Sequence, residues 1–152
     1  MGYTHYWYTI KEGLPQREWN SFCHDLAHVN ALIIRDSSML GSALTYDKDK
    51  VIIDGGNACH ETFWLERVNT LKRFDGEEMK CDGIKGAVDF RFCKTARKPY
   101  DKYVVMILAL AERYFNTFDD VEMKWDKKIV PHSDGGWQDV KDDLLYSMIV
   151  TT

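Results

Sequence analysis

The feature that most restricts the fold of this chain is a segment, Pro99 to about Phe115, that is apolar on nearly all sides of a helix. A helix with apolar residues all round has to be covered on every side, so the segment predicts a central buried helix. Its longest uninterrupted apolar run, Tyr103 to Ala111, is about half of the roughly 20 residues that a membrane span needs. We therefore expect no membrane association.

Burying such a helix requires a chain long enough to form a core. The chain has 152 residues, of which 45% are hydrophobic, and a chain of this length buries roughly 68–70% of its extended surface. No repeat, proline-rich linker or low-complexity tract divides it, so we expect a single domain over residues 1–152. Four cysteines without a CxxC pair, and no signal-like apolar segment before Thr9, predict a cytoplasmic protein.

The remaining hydrophobic pattern predicts an α+β fold, a mainly antiparallel sheet with helices packed on one face. Apolar residues at helical spacing predict a first helix from Pro15 to about Arg35 and a last helix at Trp137–Met148. The polar stretch Phe74–Gly86 is expected to be a surface loop. Segments rich in aromatic and β-branched residues, bounded by turns, predict the strands Tyr3–Ile10, Ala43–Tyr46, Lys50–Ile53, His60–Arg67, Ala87–Lys94 and Val121–Trp125.

The segment that leads into the buried helix carries three cations, Lys94, Arg97 and Lys98. Free backbone N–H groups and the positive end of the helix dipole lie at a helix start, so with these cations they outline a phosphate or carboxylate site. The alternative is an ordinary helix start with solvated lysines, because Pro99 and Asp101 suit that position and the glycines of a P-loop are missing. The net charge of −4 argues against general nucleic-acid binding.

Strand alternation suggests a second candidate site, on the side of the sheet away from the helices. The core side is assigned to Phe63, Leu65, Val88, Phe90 and Phe92. The opposite side then holds His60, Thr62, Trp64, Glu66, Asp89, Arg91 and Cys93, joined by His5 and Trp7 of the first strand. Tryptophan interleaved with His, Asp and Arg favours a platform that stacks a base or a sugar. The same face could instead be a protein interface, or a plain solvated sheet.

The segment His60-Glu61-Thr62-Phe63 matches one motif of the two-histidine phosphoesterases, with His60 and Thr62 as candidate catalytic residues. That mechanism needs two such motifs. Neither His5 nor His132 begins a second one, because the residue two positions later is Trp or Asp. A phosphoesterase is therefore the third choice of function.

Two histidines of the first helix, His24 and His28, have the spacing of zinc ligands in some metalloproteases. They lie opposite the apolar stripe, so we expect exposed side chains and no metal, and the cysteines are assigned to the core. The motifs of serine hydrolases, dinucleotide enzymes and glycosidases are missing from the sequence. No cofactor is expected.

The opening Met1-Gly2-Tyr3-Thr4-His5-Tyr6-Trp7, the segment His60–Phe63 and the segment Phe92–Asp101 resemble a family of small uncharacterised proteins encoded by phages and bacteria. The resemblance covers about the first 110 residues in scattered blocks. It implies a cytoplasmic, phage-associated single domain. By analogy with small phage proteins, it favours a binding role in host signalling or defence.

Together these patterns predict a non-enzymatic domain that binds an anionic small ligand, phosphorylated or nucleotide-like. The expected ligand-binding residues are His5, Trp7, His60, Thr62, Trp64, Asp89, Arg91, Lys94, Arg97 and Lys98. The alternative function is a protein-interaction or homo-oligomeric assembly module, which would use the aromatic sheet face to contact a second subunit or a host protein.

Overall fold

The computed structural model describes residues 3–70 and 79–150 and confirms the α+β fold. The helices are α1 (Gln16–Arg35), α2 (Asp101–Phe115) and α3 (Trp137–Val150), and a short 3-10 helix at Ser37–Met39 follows α1. The strands are β1 (Thr4–Ile10), β2 (Ala43–Tyr46), β3 (Lys50–Asp54), β4 (Phe63–Glu66), β5 (Val88–Lys94), β6 (Thr117–Asp119), β7 (Lys124–Asp126) and β8 (Ile129–Ser133).

The strands of the described residues form two antiparallel sheets of three strands and one separate hairpin. In the first sheet β1 lies between β5 and β8, and in the second β3 lies between β2 and β4. Strands β6 and β7 form the hairpin. The register of the first sheet places His5 opposite both Cys93 and Ser133. Strand β1 therefore brings together segments from the beginning, the middle and the end of the chain.

The core lies between these sheets and the helices α1 and α2. The buried residues of α1 are the predicted stripe, Trp19, Phe22, Leu26, Val29 and Ile33. The buried residues of α2 lie on one broad face, while Lys102 and Arg113 on the opposite side are exposed, so α2 is not covered on every side as its sequence predicts. The ring of Trp7 on β1 packs against Phe63 on β4, with centroids 5.4 Å apart, and so joins the two sheets. Within residues 3–70 and 79–150, no helix combines the length and the apolar content that crossing a membrane requires.

Two predicted strands differ from the structure, and the strands β6 and β8 were not predicted. The predicted strand Val121–Trp125 is mostly a turn, because β7 begins only at Lys124. The sequence analysis missed β8, which contains Pro131; a proline lowers strand propensity but is tolerated in an edge strand, where β8 lies. The predicted strand His60–Arg67 is shortened to Phe63–Glu66. Of the predicted loop Phe74–Gly86, residues 74–78 lie outside the described residues, and the rest is irregular apart from one bridge at Met79.

The residue that follows α2, Asn116, connects this helix to β8. Its side-chain amide donates a hydrogen bond of 2.8 Å to the carbonyl of Ile129. Its side-chain oxygen accepts hydrogen bonds from the backbone N–H groups of Lys128 and Ile129, at 2.8 and 3.1 Å. Asn116 is 9% exposed. One buried amide thus satisfies three backbone groups and holds β8 in register beside α2.

The residue that follows α1, Asp36, connects α1 to α2. One carboxylate oxygen accepts hydrogen bonds from the hydroxyl and the backbone N–H of Ser38, at 2.6 and 2.9 Å. The other accepts from the Tyr103 hydroxyl at 2.5 Å and lies 3.0 Å from Nζ of Lys102. The hydrogen bonds from Ser38 and Tyr103 hold the pKa of Asp36 well below its usual range.

We expect the substitution Asp36→Asn to lower the melting temperature at pH 7 and to lower it by a smaller amount at acidic pH. A depressed pKa in the folded state contributes stability that is present above the ordinary pKa, about 3.9, and is lost as the pH falls through the folded value. Thermal unfolding of both proteins at pH 7 and pH 3 measures the change. Asp120→Asn, in an exposed turn, is the control. An equal penalty for Asp36→Asn at both pH values would contradict this prediction.

Candidate functional site

Segments that are far apart in the chain meet where α2 begins. The backbone N–H of Thr95 donates a hydrogen bond of 2.8 Å to the carbonyl of Tyr3. Glu61 accepts one from the backbone N–H of Lys94 through its side chain, at 2.8 Å, and one from the Tyr100 hydroxyl through its carbonyl, at 2.6 Å. The three segments that carry the family resemblance are therefore neighbours in the structure.

A buried polar cluster, which we call the His5 network, lies at this junction and consists of Ser133, His5, Asp101 and Thr95. The imidazole of His5 is fully buried. Its Nδ1 lies 2.6 Å from Oγ of Ser133, and its Nε2 lies 2.6 Å from a carboxylate oxygen of Asp101. The Thr95 hydroxyl donates a hydrogen bond of 2.5 Å to the same carboxylate oxygen. Each side chain of the network has a partner, as buried polar groups require.

A cavity of about 270 Å³ lies beside this network, between the first turn of α2 and helix α3. Asp101 belongs to both the network and the cavity lining. The other polar lining residues are Tyr3, Arg97, Lys102, Asp143 and Ser147, and the apolar ones are Val105, Val140 and Leu144. We call it the α2–α3 cavity. It combines charges of both signs with an apolar wall, the composition of a small-molecule site.

The turn before α2 holds Arg97 at this cavity. Ala96 and Arg97 both have left-handed backbone, with φ of 51° and 55°, and a hydrogen bond of 3.0 Å from the N–H of Lys98 to the carbonyl of Thr95 closes the turn. Left-handed backbone costs about 1–2 kcal/mol for each residue other than glycine. Such strain persists where the surroundings fix it, and it is concentrated at functional sites.

The Arg97 guanidinium lies over an aromatic ring. Its guanidinium carbon is 4.3 Å from the centroid of the Tyr3 ring. Among the described residues Arg97 has no carboxylate within ion-pair distance. Burial and the nearby Asp101 carboxylate raise the pKa of Tyr3, so its hydroxyl keeps its proton and can donate a hydrogen bond.

The predicted anion site is only partly present. Lys94 and Lys98 are exposed and do not line the α2–α3 cavity, whereas Lys102, which was not predicted, does. Several N–H groups expected to be free are occupied: that of Tyr100 donates to Ala58 and that of Asp101 donates to Lys98. The cations therefore supply most of the positive charge of this site.

The prediction that His5 and Trp7 face away from the core is wrong. Trp7 is only 2% exposed and His5 is fully buried. On β5 the alternation is reversed, since Cys93 is buried and Phe92 is 48% exposed. The physical reason is the register, which places His5 opposite Cys93 on the helix-facing side of the sheet. Burial raises the pKa of the Cys93 thiol to about 12.

Aromatic side chains do line the other face of this sheet, but they are different ones. Tyr6 stacks on His132 with ring centroids 4.9 Å apart, and Tyr8 contacts Phe90 at 5.2 Å. Phe92 packs against Phe90 at 6.1 Å. Because Trp7 is buried, an assembly module that uses the aromatic sheet face cannot use Trp7 as a contact residue.

Two further predicted residues, Trp64 and Arg91, lie together away from the α2–α3 cavity. The indole N–H of Trp64 donates a hydrogen bond of 3.0 Å to Glu66, which also lies 3.3 Å from a guanidinium nitrogen of Arg91. The Arg91 guanidinium lies 6.0 Å from the Trp64 ring. Asp89 is half-buried opposite Thr9 on β1. Trp64, Glu66 and Arg91 form a separate cluster at the junction of the two sheets.

The candidate catalytic residues His60 and Thr62 are exposed and lie in an irregular segment before β4, not within a strand. His24 and His28 are exposed on the side of α1 opposite its buried stripe. Within the described part of the chain, no group of three His, Cys, Asp or Glu side chains has an arrangement that could hold a metal ion.

The sequence analysis did not select Tyr3, Asp101 or Ser133 as site residues. Each lies next to a recognisable signal: Tyr3 in the opening segment, Asp101 at the start of the buried helix and Ser133 before a glycine turn. Their proximity depends on β1 pairing with β8, which was not predicted. No protein-family model, curated protein or solved structure matches this chain.

Proposed function

We propose that the protein binds a small anionic ligand, phosphorylated or nucleotide-like, in the α2–α3 cavity. The observation that carries this proposal is Arg97, a cation held on the Tyr3 ring by a strained turn and without an ion-pair partner among the described residues. A guanidinium that stacks through its face keeps its N–H edges available. These edges match the paired oxygens of a phosphate or a carboxylate.

The other lining residues support an anionic group at the Arg97 end of the cavity. Lys102 adds a second positive charge, partly neutralised by Asp36 at 3.0 Å. Asp101 opposes an anion, but its carboxylate is already bonded to His5 and Thr95. The volume, about 270 Å³, is close to the lower end of the roughly 300–1,000 Å³ of typical ligand pockets. This size suits one small molecule.

The apolar wall and the cysteines add to this proposal. Val105, Val140 and Leu144 would contact a non-polar part of the ligand, such as a base or a sugar face.

The cysteines at positions 23, 59, 81 and 93 are all free, which supports a reducing compartment such as the cytoplasm. In the phage-associated setting that the resemblance implies, the ligand would be a phosphorylated signal of the host.

We expect Arg97→Ala to weaken ligand binding by about 10-fold or more, because hydrogen bonds to charged groups contribute about 1.5–3 kcal/mol. Thermal shift with inorganic phosphate and a panel of linear and cyclic nucleotides measures the effect. A ligand at 100 times its dissociation constant stabilises the parent by about 2.7 kcal/mol.

Lys98→Ala is the matched control, since Lys98 is an exposed neighbouring cation outside the cavity lining. It should keep the thermal shift of the parent. The proposal fails when no compound of the panel stabilises the parent, or when both variants lose the same amount of binding.

A further inference from the structure

The distances in the His5 network define one arrangement of its protons for an ionised Asp101 and a neutral His5. An ionised carboxylate only accepts hydrogen bonds, so the Nε2 atom of His5, 2.6 Å from Asp101, carries a proton. In the neutral imidazole the other nitrogen then has a lone pair. That nitrogen, Nδ1, lies 2.6 Å from Oγ of Ser133. In this arrangement the serine hydroxyl donates a hydrogen bond to Nδ1, the base that the Asp101 carboxylate orients.

This chain of contacts has the arrangement of an activated nucleophile. A serine is activated when a base lies within hydrogen-bond reach and a third group orients that base. Thr95 fixes the third group, because its hydroxyl donates to the Asp101 carboxylate at 2.5 Å. His5 is fully buried and Ser133 is 9% exposed, so little water competes for these bonds. In the Ser-His-Asp triad of serine proteases, Nε2 contacts the serine and Nδ1 contacts the aspartate. Here Nδ1 contacts Ser133 and Nε2 contacts Asp101.

The backbone around Ser133 supplies donors near the hydroxyl. Ser133 ends β8, a turn with Gly135 and Gly136 at φ of 85° and 92° follows, and α3 begins at Trp137. A serine between a strand and a helix start lies close to unpaired N–H groups, which can stabilise a negatively charged oxygen. The N–H of Asp134 is occupied by the carbonyl of Thr4. Among the described residues, the N–H of Gly135 has no acceptor.

We propose that Ser133, His5 and Asp101 form a nucleophilic triad that hydrolyses a carboxylic ester through an acyl-serine intermediate. Oγ of Ser133 forms a bond to the ester carbonyl carbon, and its proton passes to Nδ1 of His5. The bond to the leaving alcohol breaks, and this alcohol takes the proton from Nδ1. This activity goes beyond the proposed binding function and does not depend on it.

Water completes the reaction. It attacks the acyl carbon and gives one proton to Nδ1, and the bond between Oγ and the acyl carbon breaks as that proton returns to Oγ. One ester and one water become one carboxylic acid and one alcohol. Asp101 stays ionised throughout and stabilises the positively charged imidazole that forms in each half of the reaction.

The test is covalent labelling with an alkyl fluorophosphonate, which loses fluoride when a serine oxygen attacks its phosphorus. Intact mass and peptide mapping should show one adduct on Ser133 of the parent and none on Ser133→Ala. Asp101→Asn should label at least about 100-fold more slowly, because an amide no longer holds the proton on Nε2 of His5. Thr95→Val keeps the carboxylate and should label more slowly than the parent.

A control variant and a second assay separate this proposal from other causes. Ser21→Ala, on the exposed face of α1, should label as fast as the parent. Hydrolysis of 4-nitrophenyl acetate should be lost in Ser133→Ala and kept in Ser21→Ala. A folded parent that stays unlabelled at millimolar probe, or equal ester hydrolysis by parent and Ser133→Ala, overturns the proposal.

Discussion

Replacing Trp7 with alanine is expected to remove about 3–5 kcal/mol from the free energy of unfolding, the usual cost of truncating a buried tryptophan. The side chain is 2% exposed and contacts Phe63 on the neighbouring sheet. Its loss would leave a cavity where the two sheets meet. Urea unfolding followed by circular dichroism measures the change.

Trp64→Ala is the matched control for Trp7→Ala. Trp64 is half-buried, and its ring contacts the cations of Lys50 and Arg91 at 5.8 and 6.0 Å. Partly exposed contacts of this kind contribute about 0.5–1 kcal/mol each, so we expect a loss of about 1 kcal/mol. Equal losses from the two substitutions would show that both tryptophans share one environment, as strand alternation alone predicts, and would contradict the core position of Trp7.

The second large effect is expected at Asn116. Asn116→Ala removes three hydrogen bonds to the backbone of Lys128 and Ile129. It leaves the buried N–H and carbonyl of Ile129 without partners, and each such group costs about 1–3 kcal/mol. We therefore expect a loss of about 3 kcal/mol or more. Hydrogen exchange at the Ile129 amide should accelerate together with the loss of stability.

An exposed asparagine provides the comparison. Asn20 accepts a hydrogen bond from the side chain of Gln16 on the surface of α1. Surface substitutions of this kind change stability by about 0.5 kcal/mol or less. Should Asn116→Ala unfold at the same urea concentration as Asn20→Ala, the connection between α2 and β8 would not contribute to stability.

Helices α1 and α2 could be predicted because their patterns leave few alternatives. In α1 the residues from Trp19 to Ile33 recur every three or four positions on a polar background, and these same residues are buried. In α2 most positions are apolar, and a broad face of the helix is buried. Helical periodicity is a local property of the chain. It can therefore be recognised without knowing which elements pack against the helix.

The two faces of β1 and β5 could not be distinguished in this way. Both alternating sets of β1 are large and aromatic, so alternation alone does not show which set is buried. On β5 the smaller Cys93 is in the core while Phe92 is 48% exposed, the opposite of what hydrophobicity predicts. The pairing of His5 with Cys93 determines which set of residues is buried. Pairing between distant strands is a tertiary property that the local pattern does not contain.

The candidate site depends on the same kind of information. Arg97 was predicted because its cation lies beside a helix start. The His5 network was not, since Asp101 and Ser133 are 96 and 128 positions away from His5. No motif spans such separations. Strand β8 brings Ser133 to His5. Pro131 at its centre lowers the strand propensity of this segment, so the strand was not predicted.

The central position of β1 also has a consequence for biosynthesis. Its seven residues are synthesised before both of their strand partners, and one partner, Ile129–Ser133, follows more than a hundred residues later. Until then the nascent chain has an unpaired strand edge, which is prone to pair with other chains. His5 gains its Ser133 partner only in the same step. The contacts that close the sheet therefore also complete the site, and neither can form before Ser133 has been synthesised.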